Sequence, residues 1–248
     1  MKKKVFIITV LLLSVYLHMA SATWSGEKDF SKNEIVVLLH GLGRSNIAMW
    51  RLAYRLKDAG YDVQQVGFSS INTTTDEVIA DVTDQVNTCC ANEKRTVHFV
   101  GHSLGGLLIR AYLQENTFTN LGHVVLIGTP NNGTGIADRF KGNCLVELLV
   151  PIATALGTDS KSLPNRLAAP YYPVGVIAGV YESDLNEDYL PGRDDGLVPV
   201  ESTKLEGMRD FIEVESGHSM MRYNDDVAEQ TIHFLENGKF DKDEKTGQ

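Results

Sequence analysis

Gly101-His102-Ser103-Leu104-Gly105 sets a serine between two glycines, directly after the apolar run Thr96–Val100 and just before Leu107-Leu108-Ile109. This G-x-S-x-G pattern lies where a strand gives way to a helix, the place where a serine hydroxyl can be held out as a nucleophile. The turn is sharp enough to force Ser103 into a strained backbone, and the glycines on either side leave room for it. The helix that follows would turn the positive end of its dipole toward developing negative charge. A five-residue pattern recurs by coincidence in a chain with 22 glycines, so the partners of the serine must decide its meaning.

A serine nucleophile needs a base to take its proton and an acid to orient that base. On a strand-helix scaffold these follow in the order Ser, Asp or Glu, His, each in a loop at the C-terminal end of a strand. Of the seven histidines, His18 falls in a leader and His40 precedes the serine. His98 lies inside a strand, and His102 adjoins Ser103 in the chain and points away from its face. His123 opens a strand at the wrong end, and His233 belongs to the closing helix. His218, in Ser216-Gly217-His218-Ser219-Met220 after the last strand, is left as the base. For the acid, Asp184, Asp188, Asp194 and Asp195 follow the preceding strand. Asp195 ranks first because Asp195-Gly196-Leu197-Val198-Pro199 is a sharp turn returning to an apolar path; Asp194 is second and Asp184 third. Two backbone N–H groups must receive the oxyanion. Leu104 offers one, and Leu42 in His40-Gly41-Leu42-Gly43-Arg44 offers the other; loss of one such donor costs about 3 kcal/mol in a transition state.

The elements that carry these residues alternate. Ile35–Leu39 is apolar throughout, as a strand buried on both faces should be. Strands are also expected at Tyr61–Phe68, Thr96–Val100, Val124–Ile127, Val174–Val180 and Phe211–Val214. Helices are expected at Ile47–Lys57, with Ala48, Leu52, Tyr54 and Leu56 turned inward and Gly60 as the stop. Three more are expected: Thr75–Thr88 capped by Thr75, Leu104–Gln114 and Val227–Leu235. Such alternation implies a mostly parallel sheet with helices on both faces. A Gly- and Pro-punctuated insertion, residues 131–173, interrupts it and carries an apolar cluster at Leu145, Val146, Leu148, Leu149, Val150, Ile152 and Ala155. It is read as a cap whose apolar face lines an acyl pocket or meets a lipid surface, or else packs inward on the sheet.

Lys2-Lys3-Lys4, the apolar Val5–Leu17 and Ala20-Ser21-Ala22 have the layout of a cleavable export signal over residues 1–22. Cleavage would leave one domain, residues 23–248, in a periplasm or outside the cell, with a polar, frayed tail from Gly238. Lys and Arg number 23 against 32 Asp and Glu; without the leader lysines the net charge of −9 becomes −12. That balance, without a basic patch, argues against nucleic-acid binding. Cys89 and Cys90 end a helix remote from Cys144, so a vicinal bridge and three free thiols are the open alternatives. No Cys/His spacing matches a metal site, and oligomeric state leaves no mark in the sequence.

His40-Gly41-Leu42-Gly43, Gly101–Gly106, Gly128-Thr129-Pro130 with Gly133-Thr134, Asp195–Pro199 and Gly217-His218-Ser219 stand in this order over nearly the whole chain beyond residue 22. In these motifs the chain resembles the bacterial lipase/esterase branch of the α/β-hydrolase superfamily. The resemblance implies an α/β-hydrolase fold and cleavage of carboxylic esters, often acyl lipids, with no redox or nucleotide cofactor. Some members of the branch hold a structural calcium, for which no ligand set stands out here. The Glu182–Arg193 stretch departs from the family pattern by lengthening the path to the acid. A phospholipase, thioesterase, amidase or acyltransferase would use the same three residues. A non-catalytic binding protein of this fold is the reading furthest from the motifs.

Overall fold

Ile35–Leu39 forms β1, and its residues alternate between two cores. Ile35, Val37 and Leu39 face one cluster with Val78, Val82 and Leu107; Val36 and Leu38 face another with Leu52, Leu56 and Phe234. A strand apolar at every position is stable only when both faces are covered, and helices on each side provide that cover. The computed structural model describes residues 32–181 and 189–242. The leader over 1–22, and Asp184 and Asp188, lie outside the described residues.

The strands are β1, β2 (Asp62–Val66), β3 (Val97–His102), β4 (Leu121–Ile127), β5 (Val174–Val180) and β6 (Asp210–Glu215). They form one sheet in the order β2-β1-β3-β4-β5-β6, and every pairing is parallel. The helices α1 (Trp50–Asp58), α2 (Thr75–Cys90) and α3 (Leu104–Glu115) follow β1, β2 and β3. Within the insertion come the short α4 (Gly135–Asp138), α5 (Cys144–Leu149), α6 (Pro151–Thr154) and α7 (Leu163–Arg166). Helix α8 (Val200–Thr203) precedes β6, and α9 (Asp225–Asn237) closes the fold.

Several local expectations are corrected. Asn46–Met49 is a 3-10 turn, so α1 begins at Trp50 rather than Ile47. Its inner face is Leu52, Ala53 and Leu56 beside Met49, while Tyr54 is exposed, because it sits two residues and more than half a helical turn from Leu52. Thr74, not Thr75, caps α2: its side chain accepts from the Glu77 N–H and the Glu77 carboxylate accepts from the Thr74 N–H. The chain past Gly238 is held at least to Lys242. Phe240 is buried against Phe234, and its N–H donates to Asp210 (2.8 Å). Cys89 and Cys90 are bonded to each other, and Cys144 is free and exposed.

The insertion both packs inward and faces out. Ile152, Leu156, Leu163 and Tyr172 join the core. No residue of α5 is buried, and Leu145, Leu148 and Leu149 are 64%, 66% and 53% exposed. Arg110 on α3 ties the segment's two ends together. Its guanidinium donates to Asn131 Oδ1 (3.0 Å) and to the Leu167 carbonyl (3.1 Å).

Candidate active site

Ser103 joins β3 to α3 with φ 55° and ψ −123°, a conformation a non-glycine residue holds only when its surroundings enforce it. The glycines make the enforcement sterically feasible. A Cβ on Gly105 would fall 2.6 Å from the carbonyl oxygens of Leu39 and His40, and one on Gly101 would fall 2.6 Å from the Gly106 nitrogen. Strand β1 and helix α3 therefore touch backbone to backbone directly beneath the serine. The Ser103 N–H donates to the Ile127 carbonyl (2.8 Å), fixing the turn to the end of β4.

His218 reaches Ser103 from the loop after β6, with Nε2 2.9 Å from Oγ. Its Nδ1 lies 2.7 Å from Asp195 Oδ2. With the proton on Nδ1, the ring donates to Asp195 and its Nε2 accepts from the serine hydroxyl. Asp195 is buried, and its other oxygen accepts from the N–H groups of Leu197 (3.0 Å) and Val198 (2.8 Å). The His218 N–H also donates to the Asp195 carbonyl (2.8 Å), so the two loops are stitched twice. Asp194 turns elsewhere: its Oδ1 accepts from the Gly196 N–H (2.6 Å), and burial pushes its carboxyl above the usual range.

The N–H groups of Leu42 and Leu104 have no hydrogen-bond partner among the described residues. His40 shapes the loop carrying Leu42. Its Nδ1 donates to the Gly41 carbonyl (2.9 Å), its Nε2 accepts from the Phe68 N–H (3.2 Å), and its ring stacks on Phe68 at 4.0 Å. A Cβ on Gly41 would come within 3.1 Å of both Ser103 Cβ and His102 Nδ1, so any side chain here would press on the serine and its neighbour.

His102 does point away from Ser103, but it points at the base. Its ring lies 4.9 Å from that of His218, and its Nε2 donates to the His218 carbonyl (2.9 Å). Burial holds its pKa well below the ordinary value, so it stays neutral beside His218. The sequence did hold a signal for this: Val100 and His102 share one face of β3, and Val100 packs in the same cluster as Val214 and Met221, which flank the His218 loop.

A cavity of about 180 Å³ opens over the serine. Insertion residues Ile136, Ala137, Phe140, Ala153 and Leu156 form its apolar side. Arg44 and Ser219, which the motifs contain without a role, and Arg222, which no motif contains, line the cavity with His218. Among the described residues, no cluster of His, Cys, Asp or Glu could hold a metal ion.

A family model described as palmitoyl protein thioesterase matches residues 35–172. No match was found among curated proteins. Among solved structures, the chain is similar to the mature form of a lipase from Bacillus licheniformis at 19% identity, covering 76% of this chain and 86% of that one with a TM-score of 0.60. It is also similar to a phospholipase from Legionella pneumophila, at 15% identity over 81% of this chain and 57% of that one, with a TM-score of 0.59. A metagenomic carboxyl esterase aligns at 15% identity over 76% and 65%, with a TM-score of 0.56. At these identities the shared property is the α/β-hydrolase fold.

Proposed function

The chain belongs to the palmitoyl protein thioesterase family, and from that premise we propose that it hydrolyses acyl esters and thioesters through an acyl-enzyme on Ser103. The observation that carries the reading is the unbroken hydrogen-bonded run from Asp195 through His218 to Ser103, opening onto a cavity with an apolar side. His218 takes the Ser103 proton as Oγ attacks the acyl carbonyl. The oxyanion receives the free N–H groups of Leu42 and Leu104. His218 then hands its proton to the departing alcohol or thiol, and water repeats the sequence on the acyl-enzyme. Asp195 holds the imidazole tautomer and stabilises its cation.

The family membership favours thioesters, and the chemistry of a serine acyl-enzyme accepts both leaving groups. A fluorophosphonate should label the protein at Ser103, and Ser103→Ala should lose both the label and at least about 10⁴-fold in kcat. Activity retained by that variant would overturn the assignment. Rates on an ester and a thioester sharing one acyl chain would then rank the two substrates.

The exposed Leu145, Leu148 and Leu149 support transient contact with a lipid surface through α5. A rate increase when a soluble ester is replaced by an emulsion is the expected sign. The leader motif supports export, which an intact-mass measurement of the secreted protein starting at Thr23 would test.

A further inference from the structure

Arg222 is buried to 9% exposure, lines the cavity over Ser103, and has no anion to pair with among the described residues. Its Nε is sealed from solvent without a hydrogen-bond partner. Among the described residues its one recorded contact of this kind is with the Tyr223 ring, 4.6 Å from the guanidinium carbon. A buried cation is normally matched by a carboxylate, because the loss of hydration has to be offset. Among the described residues no carboxylate forms an ion pair or hydrogen bond with it. A ring face offsets only part of that loss. Arg44 lines the same cavity, and its one hydrogen bond is a long one to Ser219 Oγ (3.4 Å). Both cations act on His102, which lies directly behind the base.

Arg222 and Arg44 thus line one cavity together with His218, which would protonate the leaving group, and with the apolar insertion residues that suit an acyl chain. Guanidinium forks suit planar, bidentate recognition of phosphate and carboxylate. We propose that Arg222 and Arg44 form an oxyanion-binding subsite for the leaving group, so that the preferred substrates are acyl esters or thioesters whose alcohol or thiol carries a phosphate or carboxylate. The anion is bound and left intact; the bond broken is the acyl C–O or C–S bond. Tyr223 packs its ring against the Arg222 guanidinium, and the exposed Arg44 supplies the second fork. This deepens the reading of Ser103 as an acyl hydrolase and rests on it.

The test compares octanoyl esters of glycerol, glyceric acid and glycerol 3-phosphate, which share an acyl chain and differ in the charge of the leaving group. Wild-type kcat/KM should be at least tenfold higher for an anionic ester than for the neutral one in 20 mM salt, and the ratio should shrink in 500 mM salt. Whichever anionic ester leads identifies the oxyanion. Arg222→Gln should bring the ratio near one, and Arg222→Lys should restore part of it. A wild-type ratio of one or less, or a ratio unchanged in Arg222→Gln, overturns the subsite. Should Arg222→Gln fail to fold, the wild-type ratio and its salt dependence decide alone. Calorimetry of Ser103→Ala with octanoyl-glycerol 3-phosphate against octanoylglycerol reads the subsite without turnover. Absent hydrolysis of all three esters with preferential binding of the phosphate would therefore remove the acyl-hydrolase reading and keep the anion site; equal binding of both would remove the site.

Discussion

Ser103 at φ 55° costs about 1–3 kcal/mol that its neighbours must supply. Three hydrogen bonds set the geometry around it: from its own N–H to Ile127, from His218 Nδ1 to Asp195, and from His102 Nε2 to the His218 carbonyl. The last is the least expected. Its partners are 116 residues apart in sequence, so no local pattern names it. A neutral imidazole here fixes the His218 main chain without adding a second cation beside the base. His102 is a positioning residue in the proposed mechanism. His102→Leu should lower kcat about tenfold, the worth of about one buried hydrogen bond, with KM little changed. His102→Gln, whose amide can donate in place of Nε2, should recover most of it. Steady-state kinetics on a soluble ester, with fluorophosphonate labelling rates, would check this; equal loss in both variants would assign His102 to packing alone.

The backbone contact between β1 and α3 depends on Gly105, which has nowhere to put a side chain. Gly105→Ala must push its Cβ against two main-chain carbonyls at 2.6 Å, and backbone cannot yield as a flexible side chain does. The expected loss is about 3 kcal/mol or more in urea unfolding; a change below about 1 kcal/mol would show that the contact relaxes freely. The motif glycines were legible because steric need leaves a fixed spacing. Strands β1 and β3 were legible because burial on both faces leaves an apolar run. Less of α1 was visible, since Asn46–Met49 tightens into a 3-10 turn and shifts the inward face from Tyr54 to Ala53. Thr73, Thr74 and Thr75 can all cap, and only the reach of Glu77 selects Thr74. In the insertion, apolar character alone could not separate Ile152, packed in the core, from Leu145 and Leu148, which face out. Arg222 had no sequence signal, because its meaning lies in the lack of an acidic partner among the described residues.

Acid sensitivity gathers these local arrangements into one property of the folded chain. Burial lowers the pKa of His40 and His102, and takes His98 to about 4. In the unfolded chain each titrates near 6.5. Between the folded and unfolded values the unfolded state binds more protons, so stability rises with pH across that window. The contribution is complete above about pH 6.5 and is lost progressively as pH falls toward the folded values. For His98 alone, going from pH 7 to pH 5 costs about 2 kcal/mol. The carboxylates with lowered values act further down: Glu93 and Asp159 sit at about 2, so their ion pairs survive pH 5. An opposing effect comes from the net charge of −9, whose self-repulsion eases on acidification. That term is spread over the surface and is screened beyond about 8 Å at 0.15 M salt, whereas the histidines are buried and unscreened. The histidine effect should therefore win. Differential scanning calorimetry in 0.15 M salt should show Tm lower at pH 5 than at pH 7 by about 5 °C or more. His98→Gln should flatten part of that slope, because its side chain has no proton to gain. An unchanged or higher Tm at pH 5 would mean that these imidazoles meet solvent before the fold gives way.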